Sequence, residues 1–398
     1  MTTTQFLPGR SAGLDRLNAF VPRAGHGYAT GRNTDPGPGA DGAVSRLSPH
    51  VRYRLVTEAE VVAAVLARHS QAAAEKFVQE VLWRTYWKGW LELRPGVWTR
   101  FCEDRDRQRD SMPTTGALAA AEAGATGIDG FDDWARELVA TGWLHNHARM
   151  WFASIWIFTL RLPWALGADF FLRHLVDADA ASNTLSWRWV AGLQTPGKTY
   201  LATADNIARY TDGRYAPQGL AQEAVALVEP PVGSAAALPM PAAPDPRRAS
   251  LLLVTPEDLH PESVIAGAAV VAGAVVVAGD DWLWGDTARG FVHASAAETA
   301  ARIGAQFGCP VDVVSRIDAA ALLAAARACG ATQVVTPYAP VGPVADALAQ
   351  FAPALAREGV TLATVRRSWD TLFWPHATKG FFPFRERIPA LLRTAGFA

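Results

Sequence analysis

The sequence has little cysteine, no long apolar run and almost no net charge. Its three cysteines, Cys102, Cys309 and Cys329, are far apart and lack the spacing of zinc or iron–sulfur ligands, so neither a disulfide framework nor a metal site is predicted. No stretch reaches the roughly 20 apolar residues of a membrane span, and residues 1–10 lack a signal-peptide pattern, which predicts a cytoplasmic protein without membrane contact. A net charge of −1 leaves no bulk basic surface, so any contact with DNA has to come from a local patch.

Tryptophan, by contrast, is abundant, and eleven of the fifteen tryptophans lie before residue 190. A large aromatic core accounts for any one of them taken alone, because aromatic side chains dominate core burial. Their concentration in one half of the chain indicates that this half makes particular use of indole rings.

The pattern of apolar residues changes near residue 229. Before it they recur at helical spacing, in segments 58–69, 72–93, 130–141, 145–160 and 168–176. Residues 1–228 are therefore predicted to form an all-α domain. Residues 229–248 contain six prolines and many alanines, cannot sustain a regular element, and are predicted to be a linker.

Residues 249–398 alternate short β-branched runs with alanine-rich stretches. The predicted strands are 251–255, 274–279, 311–315, 333–336 and 361–365. Strict alternation of strand and helix implies parallel pairing through right-handed crossovers, hence a doubly wound, Rossmann-like α/β domain. The segment has no GxGxxG or P-loop motif, so nucleotide binding there is not supported.

Two short segments of the helical half place polar side chains where a ligand could bind. Ser45 and Ser48 precede a turn and helix, where hydroxyls and free backbone N–H groups can hold a diphosphate, although such a pattern is more often an N-cap. Spacing of three and four puts Glu80, Trp83 and Trp87 on one helical face, which could equally be packing beside a solvated Arg84.

Two further segments carry charges on otherwise apolar helices, Gly142–Met150 and Asp177–Trp189. An arginine and aspartates are costly to bury unless they pair with each other or with a ligand. An ion pair of Arg149 with Asp177 beside a flavin ring would satisfy both charges, and a purely structural ion pair would do so as well.

Together, in this order, the four segments resemble the FAD-binding domain of the DNA photolyase/cryptochrome family. The resemblance spans about residues 13–210. It rests on Trp143, His145-Asn146 and Ala148-Arg149-Met150, on the paired aspartates, and on Asn183 followed by Trp187 and Trp189.

The resemblance implies a set of residues around folded FAD. The implied cofactor residues are Tyr28, Ser45, Arg46, Leu47 and Ser48 at the phosphates, Arg84, Trp143 and Asn146 along the cofactor, Arg149 with Asp177 beside the isoalloxazine, Asp179 at the ring edge or the adenine side, and Asn183 at flavin N5. The protein would tune the cofactor electronically while the flavin supplies the chemistry.

The same resemblance implies a pocket for a flipped pyrimidine dimer and a route for electrons. The implied pocket residues are Glu80, Trp83, Asn146, Met150 and Trp189, with Arg32 and His147 as DNA contacts and Trp187 and Trp164 as the inner members of a tryptophan electron-transfer chain. The third tryptophan would fall near Ser111 and Met112 and is missing, so electrons could leave through Trp156 or Trp151 instead.

Several positions depart from the family pattern. His147 stands where many photolyases carry arginine, Thr85 replaces a common acidic residue, and the ending Lys198-Thr199-Tyr200 is closer to the iron–sulfur branch although the cluster cysteines are absent. These departures weaken the prediction of DNA repair more than they weaken the prediction of FAD binding.

The C-terminal half resembles the antenna domain that precedes the helical domain in ordinary photolyases. Residues 251–259 resemble its first strand and turn, and 371–385 its closing segment, so the domain order is predicted to be circularly permuted. An unrelated doubly wound domain is the alternative, and an antenna chromophore cannot be deduced from the sequence.

The resulting prediction is light-driven repair of cyclobutane pyrimidine dimers in damaged DNA by electron transfer from reduced FAD. The alternative is a cryptochrome-like photosensor that acts on a protein partner, and a flavoprotein of unrelated redox function or a domain that has lost FAD is a further possibility. The sequence does not indicate the lesion type, the oligomeric state or the biological role.

Overall fold

The structure is a computed structural model that describes residues 6–40, 42–113, 116–283 and 285–397. A helical half is followed by an irregular segment and then by an α/β half, in the order that the sequence predicts. Within the described residues, no helix is long and apolar enough to cross a membrane.

The helical half packs around an aromatic-rich core. Its helices are α1 (Arg10–Phe20), α2 (His26–Gly31), α3 (Ser48–Arg52), α4 (Glu58–Leu66), α5 (Gln71–Glu92), α6 (Gly96–Ser111), α7 (Ala117–Ala123), α8 (Phe131–Thr141), α9 (Asn146–Ser154), α10 (Trp164–His174), α11 (Ala180–Val190) and α12 (Ala204–Tyr210). Helix α6 was not predicted, because it buries only Val97, Trp98 and Phe101 and shows no apolar period. The segment predicted as one helix over 145–160 continues from α9 as a π-helical turn, Ile155–Thr159.

Local sequence fixes where these helices begin and end. Thr57 and Glu60 form a reciprocal capping box at the start of α4, and the Ser70 side chain caps α5. Helix α8 ends at Gly142, whose φ of 70° is the left-handed conformation that glycine adopts without strain. Val176 Cγ2 would lie 2.6 Å from a Cβ at this position, so the glycine also permits the chain before Asp177 to pass close by.

The α/β half is a five-stranded parallel sheet. Its elements are β1 (Ala249–Val254), α13 (Glu262–Ile265), β2 (Val270–Val277), α14 (Asp286–Phe307), β3 (Val311–Val314), α15 (Ala319–Ala328), β4 (Gln333–Pro337), α16 (Pro343–Arg357), β5 (Thr361–Val365), α17 (Ser368–Phe373), α18 (Phe381–Arg385) and α19 (Ile388–Thr394). The strand order is β3-β2-β1-β4-β5 and every pair is parallel, so the predicted doubly wound sheet is present.

The last three helices belong to the helical core rather than to the sheet. Phe373, Phe384 and Leu392 are buried with the residues of the helical half. Helix α5 has Gly89 at the contact, where a Cβ would lie 2.8 Å from the Cα of Trp374. Within the predicted α/β domain, 249–398, these helices thus pack with the helical half rather than with the sheet.

The proline-rich segment is irregular, as predicted, but it is held to both halves. The Ala236 N–H donates to Leu93 O at 2.9 Å, and the Thr364 N–H of β5 donates to Ala242 O at 2.8 Å. The linker thus runs along the β5 edge of the sheet. At the opposite edge, β3 has only four residues and begins after Pro310.

Candidate functional site

Helix α3 and the residues after it hold the loop that carries the two aspartates. The Tyr53 hydroxyl donates to Val176 O at 2.8 Å, and Arg52 Nε donates to Ala178 O at 2.8 Å. On the other side the Val176 N–H donates to Gly142 O at 2.9 Å. Helix α3, which begins at Ser48, and the segment that begins at Gly142 therefore both contact this loop.

Both aspartates of the loop are paired with arginines. Arg149 Nη2 donates to Asp177 Oδ2 at 3.0 Å, and Arg84 forms an ion pair with Asp179. Asp179 also caps α11, accepting from the Ser182 N–H at 2.7 Å. The predicted pair of Arg149 with Asp177 is thus present, and Arg84 and Asp179, predicted separately as cofactor residues, contact each other.

The arginines determine the charge of these buried carboxyls. Burial raises the pKa of each aspartate, but Arg84 together with Lys88 and Arg52 lowers the pKa of Asp179 to about 2. Arg149 likewise holds the pKa of Asp177 below its usual range. Both carboxylates are therefore ionised at neutral pH.

One oxygen of this loop is left for a ligand. Asp177 Oδ1 is buried and has no hydrogen-bond partner of good geometry among the described residues, and the Ser48 hydroxyl lies close enough to the carboxyl to help lower its pKa. A buried carboxylate oxygen without a donor is costly, so the site fits a ligand that donates a hydrogen bond here. Asn183, on α11, donates from Nδ2 to Ala168 O at 2.9 Å, which leaves Oδ1 as the acceptor end of the amide.

The Ser45–Ser48 stretch does not cap a helix with a side chain. Leu47 occupies the N-cap of α3 without a side-chain hydrogen bond, and Ser45 Oγ accepts from the Leu47 N–H at 3.3 Å. Arg46 has a left-handed φ of 52° and stands 4.5 Å above the Trp143 ring. The alternative that Ser45 or Ser48 caps the helix is therefore wrong. Trp143 is largely buried, and its ring lies under the Arg46 guanidinium.

A cleft of about 880 Å³ opens beside this stretch. It is lined by Ser45, Arg46 and His50, by Arg16 on α1 and by Glu298 on α14. His50 Nε2 lies 2.9 Å from Leu7 O, and its buried Nδ1 has no partner in the described part of the chain. Burial lowers the pKa of His50 to about 4, so its ring is neutral and can accept a hydrogen bond. The cleft is lined by more arginines (Arg16, Arg23 and Arg46) than acids (Asp15 and Glu298), and its size fits the phosphates of a dinucleotide.

The predicted pocket residue Glu80 is held by the predicted DNA contact Arg32. The two side chains form an ion pair, and about a third of each remains exposed. Burial raises the pKa of Glu80, with Arg32 opposing the shift. Burial also raises the pKa of Tyr28, and its hydroxyl lies by Arg32 and Glu80. The structure therefore groups Tyr28 with the predicted lesion pocket.

The other predicted pocket residues lie at the surface of the helical core. Asn146 is exposed, and Trp83, Met150 and Trp189 are half-buried among fully buried neighbours. One face of Trp83 is covered by Phe381 of α18, at 3.6 Å between ring centres and 12° between planes. No sequence pattern predicted this stack, which leaves only the rest of the indole for a ligand.

The two predicted electron-transfer tryptophans have different neighbours. Trp187 packs against Trp156, with ring centres 6.2 Å apart. Trp164 instead packs against Phe101 at 5.6 Å and lies below the Arg188 guanidinium. The indole in contact with Trp187 is thus that of Trp156, one of the two alternatives named from the sequence.

His147, the second predicted DNA contact, is engaged on both ring nitrogens. Its Nδ1 lies 2.9 Å from Asn33 O and its Nε2 lies 3.4 Å from the Tyr200 hydroxyl. The ring also stacks on Trp151 at 4.3 Å. Burial lowers the pKa of His147, which makes it a weak partner for a phosphate.

Sequence reasoning missed one group of charges at this site. Arg52, Lys88 and Glu257 lie together between the two halves of the chain, all less than 9% exposed. Arg52 and Lys88 lie among apolar residues in the sequence, which indicates that each needs an acidic partner. The sequence does not show that this partner is Glu257, which is far away along the chain. The described residues contain no cluster of histidine, cysteine or acidic side chains that could hold a metal.

Comparison with known proteins identifies the helical half. Residues 77–214 match the model of the FAD binding domain of DNA photolyase. A deoxyribodipyrimidine photo-lyase of Streptomyces griseus is 38% identical over 157 residues, 39% of this chain and 34% of that protein. One from Agrobacterium fabrum is 34% identical over 188 residues, 46% of this chain and 38% of that protein. A bacterial class III photolyase structure from Agrobacterium tumefaciens has a TM-score of 0.43 and 29% identity, covering 52% of this chain and 43% of that one.

The site and these matches define a protein with an FAD-binding domain of the photolyase type. Residues 77–214 are thus similar to the FAD-binding domain of DNA photolyase, the resemblance that the sequence predicts. The chain spans less than half of the length of the relatives named above.

Proposed function

We propose that this protein is a light-driven DNA repair enzyme that splits cyclobutane pyrimidine dimers. The observation that carries the proposal is the match of residues 77–214 to the FAD binding domain of DNA photolyase, on a site whose buried charges are arranged for a ligand. When bound, reduced FAD supplies the electron that light excitation delivers to the dimer.

The chain's own residues would bind and orient that cofactor. Ser45 and Arg46, at the mouth of the 880 Å³ cleft, would contact its phosphates. Asp177 would accept a hydrogen bond through its unpartnered Oδ1, and Asn183 would accept one through its amide oxygen. Arg149 keeps Asp177 ionised, so the acceptor is available at neutral pH.

Glu80 would recognise the flipped bases in its protonated state. A neutral carboxyl both donates and accepts a hydrogen bond, which matches the carbonyl and N–H edge of a pyrimidine. The burial that raises its pKa favours this state. Trp83, Met150 and Trp189 would provide apolar contact, and Asn146 would add a polar contact at the rim.

Arg32 would contact the DNA backbone. Its guanidinium is partly exposed and pairs with Glu80, so protonation of Glu80 would release it for a phosphate. His147, with both nitrogens engaged, would support Trp151 and Tyr200 rather than reach DNA.

The order of the two domains supports a permuted arrangement within the family. The α/β half follows the helical half here, and its last three helices pack back onto the helical core. Such a rearrangement is tolerated where both cores remain intact. The α/β half would then correspond to the antenna domain, in the opposite order along the chain.

The test is repair of thymine dimers in a single-stranded oligonucleotide under blue light and reducing conditions, after the absorption spectrum of the purified protein has shown flavin. We expect light-dependent restoration of thymines by the wild type and loss of repair, with flavin retained, in Glu80→Ala. Glu75→Ala is the matched control, because Glu75 is exposed on the same helix. Bound flavin without repair by the wild type would contradict the proposal and favour a photosensor.

A further inference from the structure

The loop of the two aspartates is connected to the α/β half by a chain of buried charges. Arg52 and Lys88 come from the helical half, and Glu257 comes from the turn after β1. Arg52 makes two hydrogen bonds to Glu257, at 2.8 and 3.0 Å, and Lys88 Nζ lies 3.7 Å from Glu257 Oε2. All three side chains are less than 9% exposed, so water does little to screen them.

Glu257 acts on the loop through Arg52. The same guanidinium that is held by Glu257 donates from Nε to Ala178 O at 2.8 Å. Ala178 lies between Asp177 and Asp179, so the position of Arg52 orients both aspartates. A bidentate carboxylate is the geometry that fixes a guanidinium most firmly.

Glu257 offsets two of the buried cations at once. It forms ion pairs with Arg52 and Lys88, whereas Asp179 and Asp177 face Arg84, and Asp370 and Glu92 lie farther from Lys88. Loss of Glu257 would therefore remove the carboxylate that is paired with both Arg52 and Lys88. Burial already lowers the pKa of the Lys88 amino group, with Glu257 and Asp179 opposing the shift.

We infer that Glu257 is a positioning residue of the cofactor site, by which the α/β half fixes the Arg52–Ala178 contact and sets the charge beside the flavin. This inference rests on the proposed binding of FAD at that loop. It gives the α/β half a role in the chemistry of the helical half that does not depend on an antenna pigment.

The test measures the midpoint potential and the dissociation constant of bound FAD in Glu257→Gln. Removal of a buried negative charge favours the reduced, more negative flavin, so the potential should become more positive. FAD should bind roughly tenfold or more weakly, as happens when residues that orient ligand contacts are removed. Glu358→Gln is the control, because Glu358 forms an exposed pair with Arg327 in the same half.

A second variant tests the same charge without removing Glu257. Lys88→Met should shift the potential to more negative values, and the double variant Glu257→Gln with Lys88→Met should return towards the wild type. Lys379→Met removes an exposed lysine as a control and should leave the potential unchanged. If Glu257 had only a structural role, its substitution would alter stability, but Glu257→Gln and Lys88→Met would not shift the midpoint potential in opposite directions.

The outcomes separate the two proposals. Wild-type protein that binds no FAD overturns the proposed function. Wild-type protein with FAD, and a potential that neither Glu257→Gln nor Lys88→Met shifts beyond its control, overturns the inference about Glu257 alone. If Glu257→Gln does not fold, Lys88→Met tests the inference by itself. A shift of the midpoint potential to more negative values supports the inference, and no shift beyond the control overturns it.

Discussion

Gly167 on α10 gives the clearest prediction about the packing of the tryptophans. A Cβ at this position would lie 2.5 Å from Cζ3 of Trp187 and 2.9 Å from Nε1 of Trp156. Both indoles are at most 2% exposed. Gly167→Ala therefore forces one methyl group between two buried rings that have no free space.

The expected change in the free energy of unfolding of Gly167→Ala is the sum of two opposing contributions. Alanine gains about 1 kcal/mol over glycine in a helix interior. Overpacking a tight core costs about 1–3 kcal/mol. Gly290→Ala, inside α14, has nothing within 4 Å of the new Cβ and so gains the first contribution without the second. The difference between the two variants isolates the steric cost at about 1–3 kcal/mol.

The assay is thermal unfolding followed by tryptophan fluorescence, with both variants measured beside the wild type. For domains of this size 1 kcal/mol corresponds to a Tm shift of about 2–4 °C, so Gly167→Ala should melt roughly 2–12 °C below Gly290→Ala. Equal melting temperatures for the two variants would show that Trp187 and Trp156 are not packed as described, and would refute the reasoning.

Two further predictions concern charge and electron transfer. The pKa of Asp179 is about 2 in the folded protein and about 3.8 without its partners, so its contribution to stability is complete above pH 4 and is lost as the pH falls towards 2. Urea unfolding between pH 5 and pH 2 should therefore show the wild type losing about 2 kcal/mol more than Asp179→Asn, and equal losses would contradict the ion pair with Arg84. Because Trp156 is the indole in contact with Trp187, blue-light reduction of bound flavin should be slowed more by Trp156→Phe than by Trp164→Phe. A larger effect of Trp164→Phe in the absorbance assay would favour the family's usual route.

The central strands β1, β2 and β4 could be predicted because most of their residues are buried on both faces. Such strands appear in a sequence as short, nearly continuous runs of β-branched residues, as in Val334 and Val335 of β4. The helices after β5 could not be assigned to a core in the same way. Phe373 and Phe384 are apolar, but nothing local shows whether an apolar side chain packs on the sheet or on α5.

The site was predictable where a charge stood on an apolar helix. Arg149 and Asp177 were paired from this conflict together with the family resemblance, and the structure brings them to 3.0 Å. Arg52 and Glu257 were not, because 205 residues separate them and each lies in a different half. A local sequence pattern shows that a buried charge needs a partner, but only the folded structure shows which residue that partner is.

The two outer strands of the sheet are each protected from pairing with another chain, in different ways. An uncovered edge strand is a template for pairing with another chain, and proteins protect edges with short strands, proline, inward or central charge, or a covering segment. Here β3 is only four residues long, follows Pro310 and carries Asp312. The β5 edge is covered by the linker through the contact of Thr364 with Ala242. The tether between the domains thus also covers the longer of the two edge strands, where another chain could otherwise pair.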